Sequence, residues 1–413
     1  MQGRAAFASP DFRRWQTARV ASVIAQQMQF VALGWKLYDL TGRALDLGLL
    51  GLVQFVPVAG LSLVAGQVAD RFDRRRVALV CQLAQALASL LLLASALLLP
   101  RAVWPIFAIA FLLGVARSFF GPAGQALAPS LVPPEHFQNA VAWSSSLWQL
   151  STIVGPALGG ALMSVTGGAS TVFGTAAALA IAAACLIATI APRPPARSSG
   201  PATLSTALAG LRFVFAEKVL LGSITLDLFA VLLGGATALL PPIARDVLHV
   251  GPTGLGLLRS APAVGAAIVA LVVAYRPIER RAGAKMLWSV VLFGVATVVF
   301  GVSTSFPLSL AALAVLGGAD MISVVVRSVV MQQATPDEMR GRVGAVNTVF
   351  IVASNELGEM ESGLAAALIG TVPAIVAGGV GTVLVVAVCA IAFPALRRAE
   401  LGVQADEKRA PPA

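Results

Sequence analysis

The chain has 413 residues, of which 58% are hydrophobic and only 12% charged, and its mean hydropathy is +0.86. Because a soluble domain carries about 25% charged residues, this composition excludes a water-soluble globular protein. The net charge of +10 would favour nucleic-acid binding in a soluble protein, but here it has a topological explanation, given below. Repeated apolar runs of about 20 residues predict membrane-spanning α-helices, and the alternation typical of β-barrel strands is missing.

The residues that usually carry metals or catalysis are few and scattered. Cys81, Cys185 and Cys389 fall inside apolar runs, while His136 and His249 fall near predicted helix ends. No spacing indicates a metal site or a disulfide framework. No phosphate-binding loop and no nucleophile–base pair is found, so we predict no metal, no cofactor and no enzymatic activity. A cleavable signal peptide is not predicted either, because the first apolar run contains glutamines and no cleavage site follows it.

Twelve spans are predicted, and the breaks between them carry turn residues such as Thr41-Gly42, Pro133-Pro134 and Thr166-Gly167-Gly168. In chain order the spans are 15–38, 45–69, 77–99, 103–127, 138–166, 169–191, 217–244, 252–275, 284–304, 307–332, 341–369 and 372–395.

The basic residues orient these spans. With the N-terminus inside, most of the 29 lysines and arginines fall in cytoplasmic segments, and the outer segments hold only Lys36, Arg43, Arg101 and Arg245. The positive-inside rule therefore predicts that both termini are cytoplasmic. The same asymmetry explains the net charge, so no nucleic-acid partner is expected.

The inner segment between spans 6 and 7 is rich in Pro and Ser and reads as a linker. It predicts an N-terminal six-helix bundle at 1–191, a cytoplasmic linker at 192–212, a C-terminal six-helix bundle at 213–400 and a cytoplasmic tail at 401–413. The halves also resemble each other, because Val132-Pro133-Pro134-Glu135 has a counterpart in Ala334-Thr335-Pro336-Asp337. We expect two pseudo-symmetric bundles built as a parallel repeat.

A charged loop follows span 2 and reads Gly66-Gln67-Val68-Ala69-Asp70-Arg71-Phe72-Asp73-Arg74-Arg75-Arg76. It resembles the signature loop of the major facilitator superfamily. Gly66 is expected to permit a close helix approach, and the charged residues can form charge-assisted bonds. The resemblance implies a cytoplasmic gate made by Gly66, Asp70, Arg71, Asp73, Arg74 and Arg75. A plain positive anchor for topology is the alternative.

Two further motifs resemble those of major facilitators. Arg117-Ser118-Phe119-Phe120-Gly121 in span 4 resembles a motif whose arginine is linked with proton coupling, although a structural partner role stays open. Gly155-Pro156-Ala157-Leu158-Gly159-Gly160 in span 5 resembles the motif typical of exporters. Ordinary close helix packing would use the same small residues.

Spans 10 and 11 carry the most family-specific pattern. Arg327 is followed by Thr335-Pro336-Asp337-Glu338-Met339-Arg340-Gly341-Arg342-Val343 and by Ser354-Asn355-Glu356-Leu357-Gly358-Glu359. This pattern resembles the bacterial enterobactin-exporter-like group of major facilitators, which borders multidrug efflux proteins. The resemblance covers nearly the whole chain.

Ionisable residues inside spans are costly and mark functional sites by default. The candidates for proton coupling are Glu356, Asp227, Glu359, Asp320 and Arg117; the candidates for the substrate cavity are Arg19, Gln26, Gln29, Arg327 and Asn355. Three alternatives stay open at this point: Asp227 can pair with Arg19, Glu356 can pair with Arg327, and the glutamines can simply bond neighbouring helices.

We therefore expect an all-α membrane protein with the major facilitator fold, located in the bacterial inner membrane and monomeric. Its predicted function is proton-coupled export of a small organic molecule by alternating access. Siderophore or drug efflux is what the resemblance implies. The alternatives are a nutrient uptake symporter, a lipid flippase and a transport-inactive sensor. Its expected partners are the small-molecule substrate, protons and the lipid bilayer.

Overall fold

The computed structural model describes residues 2–192, 204–278, 281–336 and 338–400; the side chains of residues 2–4, Leu63, Asp70 and residues 204–208 lie outside that description. The described chain is helical almost throughout and contains no strand, which confirms the predicted all-α class. Of the predicted linker, residues 193–203 lie outside the described residues, as do Asp337 and the whole predicted tail. Residues 204–212, placed in the linker from the sequence, belong to a helix.

The helices are, in chain order, α1 (Pro10–Thr41), α2 (Ala44–Arg71), α3 (Arg74–Leu98), α4 (Trp104–Ser130), α5 (Phe137–Thr166), α6 (Ala169–Ala188), α7 (Leu204–Ala216), α8 (Lys218–Leu233), α9 (Leu240–Pro242), α10 (Pro252–Tyr275), α11 (Ala282–Val302), α12 (Phe306–Ala334), α13 (Arg340–Ile369), α14 (Thr371–Ala392) and α15 (Pro394–Arg397). Short 3₁₀ segments lie at Gln2–Ala8, Pro134–His136 and Ala236–Leu239, and Ile243–Val247 forms a π-helical turn.

Helix ends follow the local sequence. The Ser9 hydroxyl accepts from the backbone N–H of Phe12, and Pro10 occupies the first turn of α1. Gly42 and Gly167 end α1 and α5 with φ of +63° and +74°, a region that favours glycine. Both turns lie where the sequence predicts them.

Nine of the described helical segments are long and apolar enough to cross a membrane. Three more helices, α1, α5 and α13, have 30 to 32 residues but carry more polar side chains. Large apolar side chains such as Leu271, Leu368 and Ile391 lie on the outside of the helices, where lipid can solvate them. The exact number of twelve spans stays a prediction.

The chain forms two compact units. Unit 1 comprises Met1–Ala202 and His249–Ser260, and unit 2 comprises Thr203–Leu248 and Ala261–Ala413. In unit 1, α1 packs on α5 and α6, α3 on α4 and α6, and α2 on α4. In unit 2, α11 packs on α12 and α14, and α8 packs on α13 and α14.

The span predicted at 217–244 is not one continuous helix. Regular α-helix stops at Leu233, the backbone turns at Gly234 and Gly235, and 3₁₀ and π-helical turns follow. Pro241 and Pro242 cannot donate backbone hydrogen bonds, which helps to explain the irregular continuation. In membrane proteins such irregular backbone is tolerated only inside protein or beside a polar cavity.

Candidate functional site

A buried ionic cluster lies between α8 and α12 in unit 2. Asp227 on α8 and Arg327 on α12 form an ion pair, and both side chains are almost fully buried. Asp320, Ser323 and Arg327 are spaced three and four residues apart, so they share one face of α12. Spacing on α12 therefore aligns a carboxylate, a hydroxyl and a guanidinium, and the packing of α8 against α12 adds the second carboxylate, Asp227.

The cluster encloses a cavity of about 10 Å³. Its lining is Asp227, Ala230, Val231, Val290, Phe293, Ala319, Asp320 and Ser323. The Ser323 hydroxyl is buried and has no hydrogen-bond partner. Asp320 likewise makes no hydrogen bond or ion pair within the described residues. A cavity of about this size holds one water molecule when polar groups line it, as they do here.

The charges of this cluster do not balance when every group is ionised. One guanidinium compensates one of the two carboxylates, so an ionised Asp320 would leave a negative charge buried in an apolar bundle. Burying an unpaired charge is costly, and a carboxyl group in such a place avoids the cost by taking up a proton. The arrangement can therefore hold and release a proton chemically.

The acids predicted in span 11 lie elsewhere in unit 2. Glu356 is buried and Glu359 half-buried on α13; each has an interaction partner, and neither lines the cavity. Asn355 is exposed, and its amide donates to the carbonyl of Ile351 at 2.8 Å. Asp227 and Arg327, which the sequence analysis had considered with other partners, form an ion pair with each other. Sequence reasoning missed Ser323, although its spacing from Asp320 and Arg327 was a usable signal.

The break after α8 lies two turns beyond Asp227. At this break, a Cβ added to Gly358 of α13 would lie 2.9 Å from the carbonyl oxygens of Val231 and Leu232. Gly358 therefore permits α13 to approach the last turn of α8. Discontinuous helices beside ion-binding groups are a recurring device of transporters.

Arg19 and Arg117, two of the site residues predicted from the sequence, lie within helices of unit 1. Arg19 on α1 is half-buried and makes no hydrogen bond or ion pair within the described residues. Arg117 on α4 is also half-buried and has an interaction partner. A guanidinium inside a membrane helix that lacks a protein partner is a candidate for binding an anionic group.

Gln26 and Gln29 of α1, which the sequence suggested as substrate-cavity residues, form hydrogen bonds with α3. Three contacts form a ladder along the two helices: Ser22 to Gln82 at 2.8 Å, Gln26 to Gln85 at 2.8 Å and Gln29 to Ser89 at 3.2 Å. Hereafter these six residues are called the amide ladder. Their placement matches the expectation that the glutamines bond a neighbouring helix.

The arginines of the charged loop close the ends of other helices in unit 1. Arg74 donates to the carbonyl of Ala126 on α4 at 3.1 Å, and Arg75 donates to the carbonyls of Ile187 and Ala188 on α6. These contacts tie α3 to the last two turns of α4 and to the end of α6. Asp73 caps α3 by accepting from the N–H of Arg75 at 3.0 Å.

The other members of the predicted gate are less constrained. Arg71 is exposed, and the side chain of Asp70 lies outside the described residues. The close approach predicted at Gly66 is wrong for the described part of the chain, because a Cβ added there would meet no atom within 4 Å. Gly66 itself is half-buried.

The exporter-type motif packs on two sides of α5. A Cβ at Gly155 would lie 2.5 Å from Gln27 Cβ, and one at Gly159 would lie 2.8 Å from Met28 Cα, both on α1. On the other side, a Cβ at Gly160 would lie 2.3 Å from the Pro252 carbonyl oxygen. Conversely, a Cβ at Gly256 would lie 2.4 Å from the Pro156 carbonyl oxygen. These small residues therefore hold backbones in direct contact within unit 1.

A family model described as transmembrane secretion effector matches residues 2–412. The chain belongs to this major facilitator family. Major facilitators are transporters, so the protein is a multi-pass membrane transporter and the predicted family and fold are confirmed. The helix break and the buried ionic cluster are thus features of a transporter.

Among similar proteins, the chain is 28% identical over 394 residues to the enterobactin exporter EntS of Shigella boydii, covering 94% of this chain and 93% of that one. The values are the same for EntS of Escherichia coli. Solved structures with the same fold include the nucleoside transporter NupG, with a TM-score of 0.69, 13% identity, and coverage of 95% and 100%. The peptide-family transporter PepTSo has a TM-score of 0.71, 12% identity, and coverage of 94% and 98%.

Proposed function

We propose that this protein exports a small organic molecule in exchange for protons, by alternating access across the bacterial inner membrane. Siderophore-like or drug-like molecules are the proposed substrate class, supported by the similarity to enterobactin exporters. The proposal includes cytoplasmic termini, a monomeric state and a division into two six-helix bundles. Uptake is the alternative direction of transport.

The observation that carries the proposal is the unpartnered Asp320 beside the Asp227–Arg327 ion pair. When Asp320 holds a proton, the cluster contains one carboxylate and one guanidinium and is neutral. When it releases the proton, two carboxylates compete for Arg327. Because Asp227 is on α8 and Arg327 on α12, this competition weakens the ionic contact between those two helices. Protonation of Asp320 is thereby linked to how α8 packs.

The break after Leu233 gives α8 a means to respond. Backbone that lacks regular helical hydrogen bonds changes its dihedral angles more easily than a continuous helix does. A shift of α8 would also move the contact between its last turn and Gly358 on α13. We therefore propose that Asp320 is the proton carrier, that Asp227 and Arg327 transmit its charge state, and that Glu356 and Glu359 act on the substrate side.

The test uses purified protein in liposomes, with enterobactin as the first candidate substrate because similar proteins are named for its export. Asp320→Asn is expected to keep substrate exchange at equal pH on both sides but to abolish accumulation driven by a pH gradient. Glu400→Gln is the matched control, because it removes an exposed acid in unit 2. Gradient-driven accumulation at the wild-type rate in Asp320→Asn would remove Asp320 from the mechanism.

Transport direction is tested separately with everted and right-side-out vesicles from cells that make the protein. An exporter accumulates substrate in everted vesicles when their interior is acidified, whereas an uptake symporter accumulates it in right-side-out vesicles. Equal passive equilibration in both preparations, regardless of the gradient, would contradict proton coupling altogether.

The charged loop after α2 is proposed as the cytoplasmic gate, with Asp70 as its acidic partner. A carboxylate near a helix N-terminus gains about 0.3–1 kcal/mol from the helix dipole. Asp70→Asn is expected to shift the protein toward the inward-open state and to slow transport. Cysteine accessibility from each side of the membrane measures that shift, and unchanged accessibility from both sides would refute the gate.

A further inference from the structure

A second cavity, of about 510 Å³, lies at one end of unit 1, where α1 and α5 end and α6 begins. Its lining is Trp35, Lys36, Asp39, Met163, Ser164, Gly167, Gly168, Ala169, Ser170 and Pro252. This volume falls within the range of about 300–1,000 Å³ that is usual for small-molecule sites. The predicted topology places this end of the unit on the outer face of the membrane. We call it the α1–α6 cavity.

Hydrogen-bond donors dominate the lining of this cavity. The Lys36 ammonium is half-buried and makes no hydrogen bond or ion pair within the described residues. The indole N–H of Trp35 and the hydroxyl of Ser170 also have no partner among them. An ammonium group and an indole are donors without acceptor capacity, so they seek an acceptor. Asp39 adds the one carboxylate of this lining; it is exposed and attracts the Lys36 ammonium electrostatically without forming an ion pair with it.

The start of α6 adds to the same polarity. Its N-cap residue, Gly168, has no side chain that could accept from the first-turn amides. Gly168, Ala169 and Ser170 all line the cavity, so the uncapped end of a 20-residue helix opens onto it. The positive end of the helix dipole and the Lys36 ammonium therefore both make this cavity favourable for an anion.

We propose that the α1–α6 cavity binds an aromatic carboxylate, with the carboxylate between Lys36 and the first turn of α6 and the ring against Trp35. An anion is favoured by the half-buried ammonium, which makes no hydrogen bond within the described residues, and an aromatic body is favoured by the indole and the buried Met163. This binding site goes beyond the proposed function and does not depend on proton coupling, because binding is measured without any gradient.

The experiment is equilibrium dialysis of 4-nitrobenzoate against the full-length protein in lipid nanodiscs. The neutral 4-nitrobenzyl alcohol has nearly the same shape and tests the role of charge. We expect saturable binding of 4-nitrobenzoate, at least tenfold tighter than that of the alcohol. Lys36→Gln should weaken 4-nitrobenzoate binding at least tenfold, and Lys36→Arg should largely preserve it.

Two further variants keep the test decisive. Arg43→Gln removes a neighbouring basic residue that does not line the cavity, so it should leave the affinity unchanged. Trp35→Leu should also weaken 4-nitrobenzoate binding. It provides a second test of the same cavity if Lys36→Gln does not fold. Equal affinity in wild type and Lys36→Gln, equal affinity for acid and alcohol, or an equal loss in Arg43→Gln would each overturn the proposal. Failed transport with intact binding would refute only the proposed function.

Discussion

Two helix interfaces in this protein bury polar side chains, one through neutral groups and the other through charged groups. In unit 1 the amide ladder joins α1 to α3 through neutral side chains, whereas in unit 2 an ion pair joins α8 to α12. Both place polar groups inside a membrane protein, where interhelical polar contacts replace the missing solvent. Only the second interface changes its charge when a proton arrives. The proposed proton coupling therefore rests on the ionic cluster, and the ladder is expected to be insensitive to pH.

The largest expected effect comes from removing half of the ion pair. Arg327→Met leaves Asp227 buried without its partner, and breaking a buried pair in this way costs about 3–5 kcal/mol. Asp227→Leu combined with Arg327→Met should recover most of that stability, although it abolishes coupling. Thermal unfolding in detergent, followed by size-exclusion chromatography, measures both.

The exposed residue Arg101 supplies the control for this prediction. Arg101→Met removes the same kind of side chain from a site without buried acids and should change the unfolding temperature little. If Arg327→Met proves as stable as Arg101→Met, the ion pair does not hold the interface.

A smaller effect is expected at the exporter-type motif. Gly159→Ala places a methyl group 2.8 Å from the Met28 backbone, so α1 and α5 must separate at a cost of about 1–3 kcal/mol. Substrate binding should remain measurable while flux falls strongly. Gly121→Ala is the matched control, since a Cβ there meets no atom within 4 Å. Wild-type flux in Gly159→Ala would show that close packing at α5 is not required.

The smallest effect is expected within the amide ladder. Gln82→Met removes an amide nitrogen that is buried without a partner, and Ser22 keeps its bond to the Ala18 carbonyl at 2.8 Å. Interhelical hydrogen bonds in membranes contribute about 0.6 kcal/mol on average, so the change in stability should be below about 1 kcal/mol. The pH dependence of transport should be unchanged. A shifted pH profile in Gln82→Met would break the contrast between the two interfaces.

The fold could be predicted from the sequence because apolar runs, turn residues and basic loops each mark a span. Two features could not. The break after Leu233 packs against Phe293 and Gly358, which are distant in the chain, so no local pattern reveals these contacts. The linker also contains part of α7, because its proline- and serine-rich composition hid a helix that begins at Leu204.

The candidate site was predictable in its members but not in its pairing. Asp227, Asp320 and Arg327 stand out because they are ionisable residues inside spans, yet several partners were compatible with each. Glu356 and Glu359 in span 11 were equally prominent candidates, whereas the structure pairs Asp227 with Arg327 and places Asp320 at the same cavity as Asp227. Which helices become neighbours is a property of the whole bundle, and single-span patterns do not contain it. Ser323 gave no signal until Asp320 and Arg327 defined the face it shares.

The arginine contacts at the charged loop have a consequence for how this protein is made. On the predicted topology, Arg74 and Arg75 belong to the basic segments that orient α2 and α3 during membrane insertion. Once α4 and α6 have been inserted, the same guanidinium groups donate hydrogen bonds to the carbonyls of Ala126 on α4 and Ile187 on α6. On this topology, α2 and α3 are oriented before the residues that accept hydrogen bonds from Arg74 and Arg75 are inserted. The same arginines then serve a second, structural role in the finished bundle. Lysines at both positions would keep the positive charge that orients the helices, but they lack the planar set of donors with which the guanidinium groups bind these carbonyls.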